Sequence, residues 1–219
     1  EADTSDDSSF IIESVSITGF ISGSSDVGGV VGSLDGDNNS NINNTIIKDT
    51  HIEAEVGGYE NDDVGGLVGL GYNIRIENSS YQGTLYSEDG DMGGLAGYAD
   101  QVEVLKSWTA GTLDSTSGNM GGFFGSAYYS KIEESYSTMG SNPSTAEYGF
   151  GYVGGLIGSG YDTRIENSSY QGTLYSQEDY MGGLVGAAYN VVVLKSWTAG
   201  TLNSLSGDSV GGIFGDSYT

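Results

Sequence analysis

A glycine pair framed by apolar residues recurs seven times along the chain, and no other feature restricts its fold as strongly. The copies are Gly28-Gly29, Gly65-Gly66, Gly93-Gly94, Gly121-Gly122, Gly154-Gly155, Gly182-Gly183 and Gly211-Gly212, with first glycines 37, 28, 28, 33, 28 and 29 residues apart. A fixed period in this range marks a stacked repeat, in which each unit buries its apolar surface only against the next. The unit is 28 residues, and two copies carry insertions, near 35–44 and 141–148. A second layer of copying lies above the first. Residues 64–87 reappear at 153–176 with 20 of 24 positions identical, and Val104–Leu113 reappears unchanged as Val193–Leu202, an offset of 89 residues. Three units have been duplicated as one block.

Within a unit, short stretches such as Leu67-Val68-Gly69, Ile74-Arg75-Ile76-Glu77 and Gly83-Thr84-Leu85-Tyr86 alternate apolar and polar residues between Asn, Ser, Asp and Gly. Period-two patterning broken by turn residues reads as short strands, and helical spacing is never sustained. The reading is all-β: a parallel β-helix (β-solenoid) of about seven coils of ~28 residues over 10–219, preceded by an acidic tail at 1–9. Seven coils at ~4.8 Å give a body roughly 30–35 Å long. A corner between strands either needs positive φ or brings backbone against the neighbouring coil, and glycine permits both. The residue after each pair (Val30, Leu67, Leu95, Phe123, Leu156, Leu184, Ile213) is apolar, so stacking predicts an interior ladder.

Composition excludes several functions. Thirty acidic residues against six basic ones give a charge of −24, which repels nucleic acid and anionic lipid. There is no cysteine for a disulfide, a thiolate metal site or a nucleophile. No apolar run reaches the ~18 residues of a membrane span. The start at Glu1-Ala2-Asp3 reads as a processed or excised product, and the expected location is extracellular or at the cell surface.

The unit Val64-Gly65-Gly66-Leu67-Val68-Gly69, with Ile76-Glu77-Asn78-Ser79 and Gly83-Thr84-Leu85 after it, resembles the GLUG motif, as does the run from Val153 to Leu174. That motif is found in repeats of bacterial and archaeal surface proteins, including adhesins and some immunoglobulin A peptidases. The resemblance covers roughly residues 12–215 and implies a repeat architecture without catalytic residues. Lys106-Ser107-Trp108 and Lys195-Ser196-Trp197 depart from the Asn-Ser-Ser-Tyr form.

Candidate chemistry is sparse. His51 is the only histidine, which leaves a nucleophilic triad without a general base elsewhere. Glu53/Glu55 and Glu133/Glu134 are the carboxylate pairs that glycoside cleavage would use, yet thirty acids produce such pairs by chance. No enzyme activity is expected. Acidic residues crowd the turns before the glycine pairs, at Asp26, Asp63, Asp91, Asp179 and Asp208, where oxygen ligands suit Ca²⁺; a solvated acidic edge is the plainer reading. Asp35-Gly36-Asp37-Asn38-Asn39 is the most loop-like single Ca²⁺ candidate. No other cofactor is implied. Sequons begin at Asn38, Asn43, Asn78 and Asn167. Tyr81, Tyr86, Trp108, Tyr136, Tyr170, Tyr175 and Trp197 recur in one part of the unit, either as core or as an exposed ladder that stacks on sugars.

Two functions remain. The first is an extracellular structural or adhesive solenoid, either a segment of a larger adhesin or a protomer that stacks on itself head-to-tail through terminal half coils. The alternative is a carbohydrate-binding or polysaccharide-cleaving module acting on surface glycans.

Overall fold

The computed structural model describes residues 10–34, 45–59, 63–142, 151–176, 180–204 and 209–218, and among these there is no helix. One rung serves to define all. In rung 3 the chain runs through Ile74–Glu77, Ser80–Ser87, Met92–Gly93 and Ala96–Asp100, making the first to fourth faces of a coil. Each stretch pairs in parallel with its equivalents in the coils before and after. Among the described residues four parallel sheets run the length of the stack, each with one strand from all seven rungs; the second-face sheet takes in Gly140–Ser141 as an eighth strand, and a fifth sheet has two strands. The rungs span 10–34, 45–72, 74–100, 103–128, 131–161, 164–189 and 192–218. The protein is a β-solenoid, and the 28-residue period is one circuit of its backbone. From rung 5 on, the second face divides, and its later half continues as Thr173–Ser176 beside Thr201–Ser204.

The interior is built of ladders. On the first face Ile12, Ile47, Ile76, Val104, Ile132, Ile165 and Val193 stand in one column. The residues after the glycine pairs form another. Leu67 N–H donates to Leu95 O, Leu95 to Phe123, Phe123 to Leu156 and Leu156 to Leu184, at 2.8–3.0 Å. These five side chains are fully buried, whereas Val30 and Ile213 in the outer rungs are partly covered. Period-two strands stacked in register give this result directly, because a column keeps one side of the pleat through every rung.

The glycine pairs lie at the bend between the third and fourth faces, and none of them has positive φ. Close approach is what demands glycine there. A Cβ on Gly66 would lie 2.2 Å from the Gly94 carbonyl, and the second glycine of each pair from Gly29 to Gly183 meets the next one's carbonyl at that distance. The first glycine is closed off by its own rung, as at Gly65, where Val68 O would be 1.8 Å away. Positive φ falls instead on other residues. After the first face, Ser14, Asp49, Asn78, Lys106, Glu134, Asn167 and Lys195 all turn the corner at φ 46–58°. Asn and Asp suit that conformation; Lys and Glu adopt it because the ladder above and below fixes the backbone.

A polar ladder follows this corner. Thr50, Ser79, Ser107, Ser135 and Ser168 each accept or donate within a continuous column. Each of these residues' N–H donates to the next rung's hydroxyl, from Thr50 to Ser79 Oγ and on to Ser196 Oγ, at 3.1–3.2 Å. Each hydroxyl in turn donates to the carbonyl two residues before it. Buried amides at a bend would otherwise go unsatisfied.

Candidate functional site

The surface divides by charge. All six basic residues lie on the first face or its corner, and five of them reach a carboxylate: Lys48–Glu13, Arg75–Glu77 and Glu103, Lys106–Glu134, Lys131–Glu133 and Arg164–Glu166. This stripe is close to neutral, and the other acidic side chains among the described residues, such as Asp26, Glu53, Glu55, Asp91 and Asp114, lie off it. Lys131 holds the Glu133 carboxyl below the ordinary carboxylate range. Glu133 and Glu134 thus serve two separate ion pairs.

The acidic turns line up next to the glycine corner. Asp26, Asp63 and Asp91 precede the paired third-face strands of rungs 1–3. Asp63 Oδ1 accepts the Asp91 N–H at 3.3 Å, Asp91 Oδ1 accepts the Asn119 N–H at 3.0 Å, and Asn119 Oδ1 accepts the Tyr152 N–H at 2.9 Å. Side-chain oxygens here do backbone work, and Asn119 does it without charge. Burial pushes the Asp91 carboxyl up, against the Ser126 and Asn119 hydrogen bonds that favour its charged form. Among the described residues no group of three or more His, Asp or Glu is gathered to hold an ion. Asp179, Asp208 and the 35–39 loop lie outside the described residues, as do Asn38 and Asn43. Asn78 and Asn167 are exposed at the positive-φ corner, and Asn78 Nδ2 donates to Asp49 Oδ1 at 2.5 Å.

Glu53 and Glu55 point to solvent from the second face and line a shallow depression of about 300 Å³ with Gly19, Ala54, Gln82, Gly83 and Thr84. Its floor is small because bulk is excluded: a Cβ on Gly83 would sit 1.9 Å from Ala54 O.

The aromatic residues separate into three environments. Tyr81 and Tyr170 are core. Both are fully buried, packed against Gly66 and Gly155, with hydroxyls donating to Ala54 O at 2.8 Å and Met139 O at 2.9 Å. Tyr86 and Tyr175 lie partly exposed further along the second face, and the Tyr86 ring tilts against Tyr59.

Trp108, Tyr136 and Trp197 share an outward column with His51, in the register Ser16, His51, Ser80, Trp108, Tyr136, Ser169, Trp197. Trp108 and Tyr136 stack at 6.2 Å and 10°. His51 tilts across Ser80 to within 5.8 Å of Trp108, its Nδ1 2.6 Å from Ser80 Oγ.

A further aromatic column stands on the fourth face. Tyr72, Tyr98, Tyr128, Tyr161 and Tyr189 occupy rungs 2–6 with ring centroids 5.8, 5.4, 6.0 and 4.6 Å apart in succession. In strict register rung 3 would present Asp100, between Tyr72 and Tyr128, and Tyr98 fills the gap from two residues earlier. Asp100 Oδ1 is buried without a hydrogen-bond partner, and burial pushes that carboxyl up. Burial first, and then neighbouring phenols and Asp100, raises the Tyr98 phenol; burial and then Tyr189 raises Tyr161. Tyr218, next in register after Tyr189, donates to Asp216 and is pushed up to about 12. This column was legible as a tyrosine seven residues after the first glycine of a pair, at 72, 128, 161, 189 and 218. The signal is masked in rung 3, where that place holds Asp100.

Comparison with known proteins adds no relative: no family model, no curated protein and no solved structure matches the chain.

Proposed function

We propose that this chain is an extracellular structural or adhesive β-solenoid of GLUG-like repeats, acting as a stiff, acidic spacer. The observation that carries this reading is the identity of construction from rung to rung: the same isoleucine, leucine and serine ladders run through four in-register sheets. Block duplication of such a unit lengthens a rod, whereas a catalytic constellation is needed once. A strongly negative surface supports solubility of a long exposed body. Within the described residues the strands of rungs 1 and 7 pair on one side only, and open parallel edges are templates for further rungs. The reading includes head-to-tail stacking, in which another copy supplies those rungs.

Negative-stain electron microscopy and sedimentation velocity test both parts. A sedimentation coefficient that matches the folded seven-rung body, ~30–35 Å long, supports the spacer, and that of an expanded, unfolded chain refutes it. Filaments that lengthen with concentration and disappear in Ile213→Asp support stacking. A strictly monomeric chain at high concentration and in screening salt removes the stacking step and leaves the spacer standing.

A further inference from the structure

We propose that Tyr136 and Trp197 are the two walls of a slot that takes one neutral pyranose ring of a glycan. The inference does not depend on whether the chain is a spacer or assembles. It starts from register. Tyr136 and Trp197 stand two rungs apart in one outward column, with Ser169 between them. Both rings are widely open, at 47% and 53% exposure. Two rungs at ~4.8 Å separate the walls by ~9.6 Å. A flat heteroaromatic ring in van der Waals contact with both, at ~3.5–4.0 Å on each side, needs only ~7–8 Å. The slot therefore suits a thicker, puckered saturated ring, whose axial C–H bonds meet aromatic faces while its equatorial hydroxyls point outward.

The rest of the rung-6 row fits those hydroxyls. Asn167 at the corner, Ser169 on the floor and Gln171 two residues on alternate along one strand edge, and all three are uncharged hydrogen-bonding side chains. Gln171, with an amide that both donates and accepts, matches a pair of vicinal hydroxyls. Apolar walls with a few convergent polar groups are the usual composition of a small-ligand site. The corner beside the slot carries Glu134 in the Tyr136 rung and Lys195 in the Trp197 rung, one charge of each sign, so no net charge there recruits a phosphate or uronate and the uncharged row suits a neutral sugar.

The molecule contains its own control. Rung 3 repeats the same row as Asn78, Ser80 and Gln82, with Trp108 in the place of Trp197. There the opposite wall is His51, which leans over Ser80 to 5.8 Å from Trp108 and fills the gap. Tyr136 cannot close the second gap in this way, because it already lies flat on Trp108 at 6.2 Å. One slot is shut and its duplicate is open.

The chain has two tryptophans, so two indole N–H resonances report the two slots, and Trp197→Phe assigns them. The probes are cellobiose, lactose, mannobiose and chitobiose, with glucuronic acid and adenosine as comparators. At least one neutral disaccharide should move the Trp197 resonance saturably and leave that of Trp108 less affected. Tyr136→Ser, which installs the residue this column already carries at 16, 80 and 169, should weaken binding roughly tenfold for loss of one stacking wall. Gln171→Ala, which leaves both walls in place, should weaken it as well. No saturable shift with any of the four disaccharides overturns the proposal. So does a shift that survives Tyr136→Ser and Gln171→Ala in chains whose circular dichroism is unchanged, or an equal response to adenosine.

Discussion

Two aromatic columns climb the same solenoid and end in different states. On the fourth face, five tyrosines occupy five successive rungs with neighbouring ring centroids 4.6–6.0 Å apart, Tyr98–Tyr128 and Tyr161–Tyr189 stacked and the other two pairs tilted. On the second face, serines at rungs 3 and 6 interrupt the series His51, Trp108, Tyr136, Trp197. Backbone spacing is the same in both, since in-register sheets fix it at ~4.8 Å. The neighbours decide the rest. An aromatic residue repeated in every rung is covered in part by its own copies: Tyr72, Tyr98, Tyr128 and Tyr161 are half-buried, and Tyr189 stays 42% exposed. Skipping a rung leaves a ring with an open face, unless a side chain such as His51 tilts to cover it. In a solenoid, therefore, the interruption of a repeat marks a candidate site more than the repeat does.

The largest expected effect removes the spacing that both columns share. Gly94→Val places Cβ 2.2 Å from Gly122 O and 2.6 Å from Met139 Sδ. We expect about 3–4 kcal/mol of destabilisation by urea unfolding, with loss of the near-ultraviolet signal of both columns. Gly212→Ala, where a Cβ meets nothing within 4 Å, should stay within about 0.5 kcal/mol. Equal effects at the two sites would show that rung-to-rung approach is not what the pairs provide.

Next comes the buried tyrosine that supports the open slot from beneath. Tyr170→Phe leaves the Met139 carbonyl without its donor and should cost about 1–2 kcal/mol. The same change at exposed Tyr136 should be silent in a thermal melt. The columns themselves are compared by Tyr161→Ser and Tyr136→Ser. Tyr161 contacts Tyr128, Tyr129 and Tyr189, while Tyr136 stacks on Trp108 alone, so losses of roughly 1–1.5 against a few tenths of a kcal/mol are expected. Similar losses would place the two columns in one class.

Asp100→Asn probes the flaw in the uninterrupted column. Its folded-state pKa is raised by burial, so the ionised form weighs against folding at pH 7. The variant should be slightly more stable there, by no more than a few tenths of a kcal/mol, because solvent screens much of that charge. That gain should shrink as pH falls toward the unfolded carboxyl value of ~4 and vanish by about pH 3, where the carboxyl is neutral in both states.

The smallest effect is read from alkaline titration. Phenols of Tyr98 and Tyr161 are raised and that of Tyr218 is pushed up to about 12. The stability they contribute is complete below the unfolded value of ~10 and is lost as pH rises through their folded values. Tyrosinate absorbance should show this late-titrating group, and Tyr98→Phe should shrink it. Burial also raises the phenols of core Tyr81 and Tyr170, so a late group that Tyr98→Phe leaves unchanged would contradict the stacked column.

Much of this protein is written in its sequence. Glycine pairs at a 28-residue period, an apolar residue after each pair and the 89-residue duplication specify the stacking, the interior ladder and the parallel class. They do so because identical units on a ladder can bury their apolar residues only against their own copies. The sequence also shows serine after the positive-φ corner and tyrosine seven residues after the glycines. What only the tertiary structure decides is the meeting of unlike residues across rungs. Positive φ falls on Lys106 and Glu134 because flanking rungs impose the path, against local preference. Tyr81 turns inward while Trp108, in the adjacent rung's neighbouring column, turns outward, a one-residue difference in a period-two pleat. His51 closes one gap and Tyr136 leaves its duplicate open, since ring tilt depends on the partner already stacked, and that partner lies about one full circuit away along the chain.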